Sequence, residues 1–204
     1  MKHIYIVFSS TPFRMGKLVR QFTGDKYNHI SVSLDLELTK MYSFARRYYR
    51  MPFYGGFVRE NVSRYNLDGM TTQVCICGIP VTNAQFASLS KQLAYMEENK
   101  EHYLYNHLSA VAAVFRTSAK REDAYTSVEF CTDVLRQIGI SLDSKHYYTI
   151  GQLHNILEPN IIYSGPLEPA KTLDIEFFAD EPMEHPSTAT IRSIGKLLQR
   201  KRYK

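Results

Sequence analysis

Apolar residues recur along this chain with two periods, and the switches between them outline its elements. Residues 4–8 form a short apolar run rich in β-branched side chains, which predicts a buried strand. Thr11-Pro12 reads as a helix cap followed by proline at the first helical position. Met15, Leu18, Val19 and Phe22 share one side of that helix, and Gly24 ends it. Residues 28–35 alternate strictly, with Ile30, Val32 and Leu34 on one face and His29, Ser31 and Ser33 on the other, which predicts a half-buried strand. Further strands are predicted at 41–45, 57–60 and 72–81, with Pro52 and Gly55-Gly56 punctuating the aromatic loop before the second of these.

The period then lengthens. Thr82 caps a helix over 83–100, apolar on one side through Phe86, Leu89, Leu93 and Met96. A more apolar helix is predicted over 105–115, and residues 117–123 are charged and loop-like. The next helix opens at Thr126 or Ser127, because Thr126 with Glu129 three residues on makes a capping box. Val128, Cys131, Leu135 and Ile138 form its apolar stripe and Gly139 stops it. Thr149 caps a short helix over 150–157, and Pro159 precedes a strand-like stretch at 160–164. The order of elements predicts an α+β fold, a mostly antiparallel sheet packed against helices.

After Pro169 the composition changes. Residues 170–186 carry five acids and one lysine, with Pro182 and Pro186, and read as an acidic strap or linker. Residues 187–204 predict a basic amphipathic helix with Ile191, Ile194, Leu197 and Leu198 on one side, weakened by Gly195. The expected organisation is therefore a catalytic domain over 1–169, the strap over 170–186 and the terminal helix over 187–204. Charge follows the same division. The net charge is +5, but residues 187–204 alone hold six basic side chains and no acid, which leaves the remainder at −1. The body is not basic, so no nucleic-acid partner is expected. The terminal helix either folds back on the core or is solvated, and peripheral contact with an anionic membrane is the rival expectation for it.

Composition excludes some other classes. The 204 residues are 44% hydrophobic and 22% charged, ordinary for a globular chain with one sizeable core. Cys75, Cys77 and Cys131 do not make a disulfide framework. Cys75 and Cys77 share one face of a strand, with no further cysteines to complete a zinc site, and read as buried structural thiols. No metal and no cofactor are called for. The apolar run near the N-terminus is too short for a signal peptide, and no stretch reaches the length needed to span a bilayer, so a cytoplasmic, reduced protein is expected.

Two segments carry candidate chemistry. His29 stands on the polar face of its strand, where a rigid element can hold an imidazole as a general base; a surface histidine would look the same. The helix opening at residues 126–127 offers two nucleophiles. Ser127 sits where free backbone N–H groups and the helix dipole favour negative charge, though an ordinary capping serine would also sit there. Cys131, one turn on, is the alternative nucleophile, but it falls on the apolar stripe and away from those N–H groups.

The stretches Tyr27-Asn28-His29-Ile30-Ser31-Val32-Ser33-Leu34-Asp35, Tyr42-Ser43-Phe44, Gly55-Gly56-Phe57-Val58 and 125–135, in this order, resemble the NlpC-type papain-like hydrolases. The likeness is to their circularly permuted, lecithin:retinol acyltransferase-like branch, in which the histidine strand precedes the nucleophile helix. It spans about residues 1–165. It implies a permuted papain-like fold and a cysteine-type hydrolase, amidase or acyltransferase. Such an enzyme acts on an amide or thioester of a small-molecule, peptide or lipid-like substrate through an acyl-enzyme. His29 takes the family's histidine position. Glu129-Phe130 sets the register of the nucleophile segment, which puts Ser127 where the family has cysteine. That serine is an inactivating replacement, a natural serine nucleophile, or the mark of a cleft-binding protein that has lost the reaction. The group orienting the histidine is Ser43, by the family's strand order, or Glu60 as the carboxylate alternative, which could equally pair with Arg59 or Arg64. Tyr42, Phe44, Arg46 and Tyr54 are candidates for lining an amphipathic or anionic substrate cleft, or else for loop packing.

Overall fold

The structure is a computed structural model that describes residues 1–11, 24–48, 51, 53–65, 71–113, 117–144, 147–168 and 186–202. Its strands are β1 (Lys2–Ser10), β2 (His29–Ser33), β3 (Met41–Arg46), β4 (Gly55–Glu60), β5 (Gln73–Val81), β6 (Leu104–Tyr105), β7 (Ala124–Tyr125) and β8 (Ile161–Pro166). The helices among the described residues are α1 (Asn83–Glu98), α2 (His107–Ala112), α3 (Ser127–Gln137), α4 (Ile150–Leu157) and α5 (Pro186–Gln199). The strands form one sheet in the order β7-β6-β4-β3-β2-β1-β5-β8. Neighbours pair antiparallel except β6 with β7, which are parallel. The fold is α+β.

Side-chain alternation gives the sheet two unlike faces. Ile4, Ile6 and Phe8 of β1, Ile30 and Val32 of β2, Phe44 of β3, Phe57 of β4 and Cys75 and Cys77 of β5 belong to the main core. Leu89 and Leu93 of α1, Phe130, Cys131 and Leu135 of α3 and Leu153 of α4 complete that core. The opposite face carries a smaller cluster of Val7, Met41, Val74 and Ile76, closed by Leu38, Tyr65 and Leu167. Ser31, Ser43 and Glu60 alternate onto this second face, and all three are buried.

Local chemistry sets the helix ends. Thr82, Thr126 and Thr149 each accept from the backbone N–H three residues on, and Gln85, Glu129 and Gln152 reach back, so α1, α3 and α4 all open with capping boxes. Gly139 takes φ 92°, a left-handed conformation that suits glycine just past the end of α3.

Several elements differ from expectation for identifiable reasons. The alternation over 28–35 continues past the end of β2 at Ser33, because Ser33 Oγ donates to the Asp35 carbonyl and Asp35 accepts from the Thr39 and Lys40 amides, closing a turn. Gly55-Gly56 belong to β4 and are not loop punctuation. A Cβ at Gly55 would stand 2.8 Å from Tyr105 Cβ, and one at Gly56 would strike the Tyr103 carbonyl, so β6 approaches only a bare backbone. The apolar stretch at 105–115 divides: Leu104–Tyr105 pairs as β6 and Asn106 caps the shorter α2. β7 joins the sheet through β6, a short tertiary contact that local pattern does not signal. The helix expected over 11–22 and the strap over 170–186 lie outside the described residues, apart from Thr11, Pro186 and no more. The terminal helix folds back on the sheet edge, where Leu197 packs with Leu104 and Ala124. Its buried side is Ala189, Ser193 and Leu197. The expected stripe partners Ile191, Ile194 and Leu198 stay exposed, because the helix turns the face bearing Ala189, Ser193 and Leu197 inward instead. No helix among the described residues is long and apolar enough to cross a membrane.

Candidate active site around His29 and Glu60

Glu60, the last residue of β4, is 1% exposed. A carboxylate buried so deeply is costly unless donors cover its lone pairs. Four groups converge on it. His29 Nε2 lies 2.9 Å from Oε1 and Ser43 Oγ donates to the same oxygen at 2.5 Å. Ser31 Oγ donates to Oε2 at 2.8 Å, and the Tyr65 hydroxyl donates to that oxygen as well. Adjacent strands supply the set: Ser31 on β2, Ser43 on β3 and Glu60 on β4 share one face, and Tyr65 follows the 3-10 turn Val62–Arg64.

With Glu60 ionised, its carboxylate only accepts, and Nε2 is then the donor toward it. In the neutral imidazole Nδ1 is then left with its lone pair, and no hydrogen bond occupies it among the described residues. The strand end itself is anchored, since Asn28 Oδ1 accepts from the Thr11 amide at 2.9 Å and Asn28 Nδ2 donates to the Thr11 carbonyl at 3.1 Å. Of the two proposed orienting groups, Glu60 holds the imidazole and Ser43 supports Glu60.

Ser127 is the first residue of α3, 7% exposed. At a helix start the first amides have no intrahelical partner. Thr126 Oγ takes up that of Glu129 at 3.2 Å, leaving those of Ser127 and Val128 as the helix's free positive end. Helix α3 lies over the main-core face, where the Phe130 ring packs 5.4 Å from Phe44 and 5.8 Å from Phe57. The His29–Glu60 pair is on the other face, and no hydrogen bond joins Ser127 to His29 among the described residues. Burial first, then the charges of Glu129 on the first turn of α3, of Tyr105 and of Asp25, push the Tyr147 phenol pKa up.

Ser43 faces Glu60, so Tyr42 and Phe44 must face the opposite way. Phe44 is 0% exposed among the rings of Phe57, Tyr125 and Phe130, and Tyr42 donates to Glu97 at 3.1 Å. Both serve the core side of the sheet rather than the side that bears His29. Tyr54 lies beneath the Arg47 guanidinium at 5.7 Å, and Arg46 at the end of β3 is half-buried. Cys131 is fully buried, and burial first, then the Glu60 charge, raises its thiol pKa well above the ordinary range.

Ser31 and Tyr65 are site residues beyond those singled out in the sequence. Ser31 shares the polar face of the alternating strand with His29, a usable signal; Tyr65 has none. Ser9 pairs with His29 across β1 and β2, is 1% exposed, and its hydroxyl has no hydrogen-bond partner among the described residues.

Cys75, Cys77 and Cys131 are free and buried. Desolvation raises all three pKa values, that of Cys77 to about 12. The folded protein should therefore resist iodoacetamide at about pH 8, near the ordinary thiol pKa, while denaturant exposes all three to alkylation. Mass spectrometry of the alkylated protein checks this, and rapid native labelling at any of the three contradicts the burial. No family model, no curated protein and no solved structure matches the chain.

Proposed function

We propose that the chain is a permuted papain-like hydrolase or acyltransferase acting on an amide or thioester, with Ser127 in the nucleophile position. The observation that supports this reading is the imidazole held by buried Glu60 through Nε2, on a ring that is still 15% exposed at the end of the sheet. In the proposed reaction Nδ1 takes the Ser127 proton as Oγ attacks the substrate carbonyl carbon. The oxyanion forms near the open amides of the first turn of α3. As the tetrahedral adduct collapses, the amine or thiol leaves with the proton from Nδ1. Water or another acceptor then attacks the acyl-serine by the same route in reverse. Glu60 stabilises the imidazolium throughout, as a buried carboxylate does in a catalytic triad.

Ser127→Cys tests the reading. A thiolate at a helix N-terminus beside an imidazole has a lowered pKa and reacts readily, unlike the three buried cysteines. Rapid modification of residue 127 by a thiol-directed acyl or alkylating probe at about pH 7, lost in the Ser127→Cys/His29→Ala double variant, is the expected result. A second reading, a cleft-binding protein without the reaction, is favoured by the missing Ser127–His29 hydrogen bond and by their placement on opposite faces. A folded Ser127→Cys protein that labels no faster than denatured cysteine supports that reading and removes the enzyme.

A further inference from the structure

Helix α5 buries one side and presents another. Ala189, Ser193 and Leu197 turn inward, and Leu197 packs against Leu104 and Ala124. At about 100° per residue, Ile191, Ile194 and Leu198 fall on a stripe about 130° around the helix from that buried side. They are 71%, 37% and 57% exposed. The stripe is not what holds the helix in place, because its end is clamped by polar contacts. Arg200 donates to the His102 carbonyl at 2.7 Å and lies 3.7 Å from Asp123. Arg121 donates to the Arg200 carbonyl at 2.9 Å, and the Glu122 amide donates to the Lys201 carbonyl at 3.1 Å. The helix is thus fixed on the body with aliphatic side chains turned to solvent.

We propose that this outer face of α5 docks on an anionic lipid surface, lying in the interface plane without crossing it. Charge selects the occupant. Residues 187–204 hold six basic side chains and no acid, and Arg192, Lys196, Lys201 and Arg202 are exposed. The helix is about 10–12 Å across, so its cations stay within about a Debye length of any surface that the stripe touches. A second copy of the chain would bring a second stretch of the same charge, which opposes pairing stripe to stripe. A nucleic acid would meet the cations and leave Ile191, Ile194 and Leu198 without a partner, since its phosphate backbone offers no apolar surface. An anionic bilayer meets both features, with headgroups for the cations and acyl chains for the aliphatic stripe. Because α5 is already helical and anchored on the body, docking carries no cost of ordering a tail.

The inference uses neither Ser127 nor His29 and stands whether or not the chain is an enzyme. Its test is co-sedimentation of the full chain with vesicles of mixed phosphatidylglycerol and phosphatidylcholine, and with vesicles of phosphatidylcholine alone. At about 0.1 M salt the mixed vesicles should bind at least about tenfold more strongly, and the difference should fade toward about 1 M salt, where the Debye length shrinks to about 3 Å. Ile191→Ser/Ile194→Ser/Leu198→Ser changes exposed positions, so the melting temperature should hold while binding falls at least about tenfold. Lys196→Gln/Lys201→Gln/Arg202→Gln should weaken binding to the mixed vesicles by a similar factor. Gly195→Leu acts in the opposite direction, which a misfolded variant would not mimic. A Cβ there meets nothing within 4 Å, and the added side chain, beside the stripe, should tighten binding about threefold. No binding to the mixed vesicles, equal binding to the neutral ones, or full binding by the triple serine variant would overturn the proposal.

Discussion

Replacing Glu60 with leucine should cost the protein about 3–5 kcal/mol, the range for breaking a buried ionic network by removing one partner. The variant loses the acceptor for His29, Ser31, Ser43 and Tyr65 together, and leucine offers none of them a partner. Those donors sit in the interior, with Ser31 and Ser43 both 0% exposed, so water cannot readily take the carboxylate's place. Glu60→Gln should cost less. Its amide keeps one acceptor, and the serine and tyrosine hydroxyls can rotate to accept from the new N–H₂. His29→Ala should cost least, since three hydroxyls still cover the carboxylate and the ring is partly exposed, at 15%. Urea denaturation of the three variants measures the ranking. A Glu60→Leu protein within about 1 kcal/mol of the parent would mean that Glu60 is not the centre of a buried network.

Phe44→Ala should be comparably damaging, at about 3–5 kcal/mol, the usual range for truncating a buried phenylalanine. The ring has no exposed surface and meets Tyr125 at 5.0 Å, Phe130 at 5.4 Å and Phe57 at 5.7 Å, so its loss opens a void where β3 and β4 meet the start of α3. Phe44→Leu, which fills more of that volume, should recover more than half of the loss. The pair also separates the two roles available to this residue. A packing residue changes the melting temperature and leaves the reactivity of a cysteine at position 127 alone at temperatures where the variant is folded. A residue that touched substrate would alter that reactivity without a matching change in stability.

The sequence and the structure agree best where the physics is local. Thr82, Thr126 and Thr149 each signal a helix start through a partner three residues away, and each is the observed cap. Gly139 signals the end of α3 through its own backbone freedom. Strand alternation put His29, Ser31 and Ser33 on one face, as observed. Agreement fails where a distant chain intervenes. Gly55 and Gly56 resemble loop punctuation, and become strand because β6 must pass close to them. Residue 105 falls within the predicted helix, and pairs with 104 as strand because β4 and β7 stand on either side.

The candidate site divides in the same way. Its polar face, its imidazole and the capped helix with Ser127 at its mouth are set by residue order alone, because cap chemistry and side-chain alternation act within a few positions along the chain. That Glu60 and not Arg59 turns inward, that Tyr65 joins it, that Phe44 belongs to the core, and that α3 lies across the sheet from the imidazole follow only from the strand order β4-β3-β2 and the layer that covers each face. Those contacts join residues tens of positions apart, and no period or cap in the chain encodes which strand lies beside which.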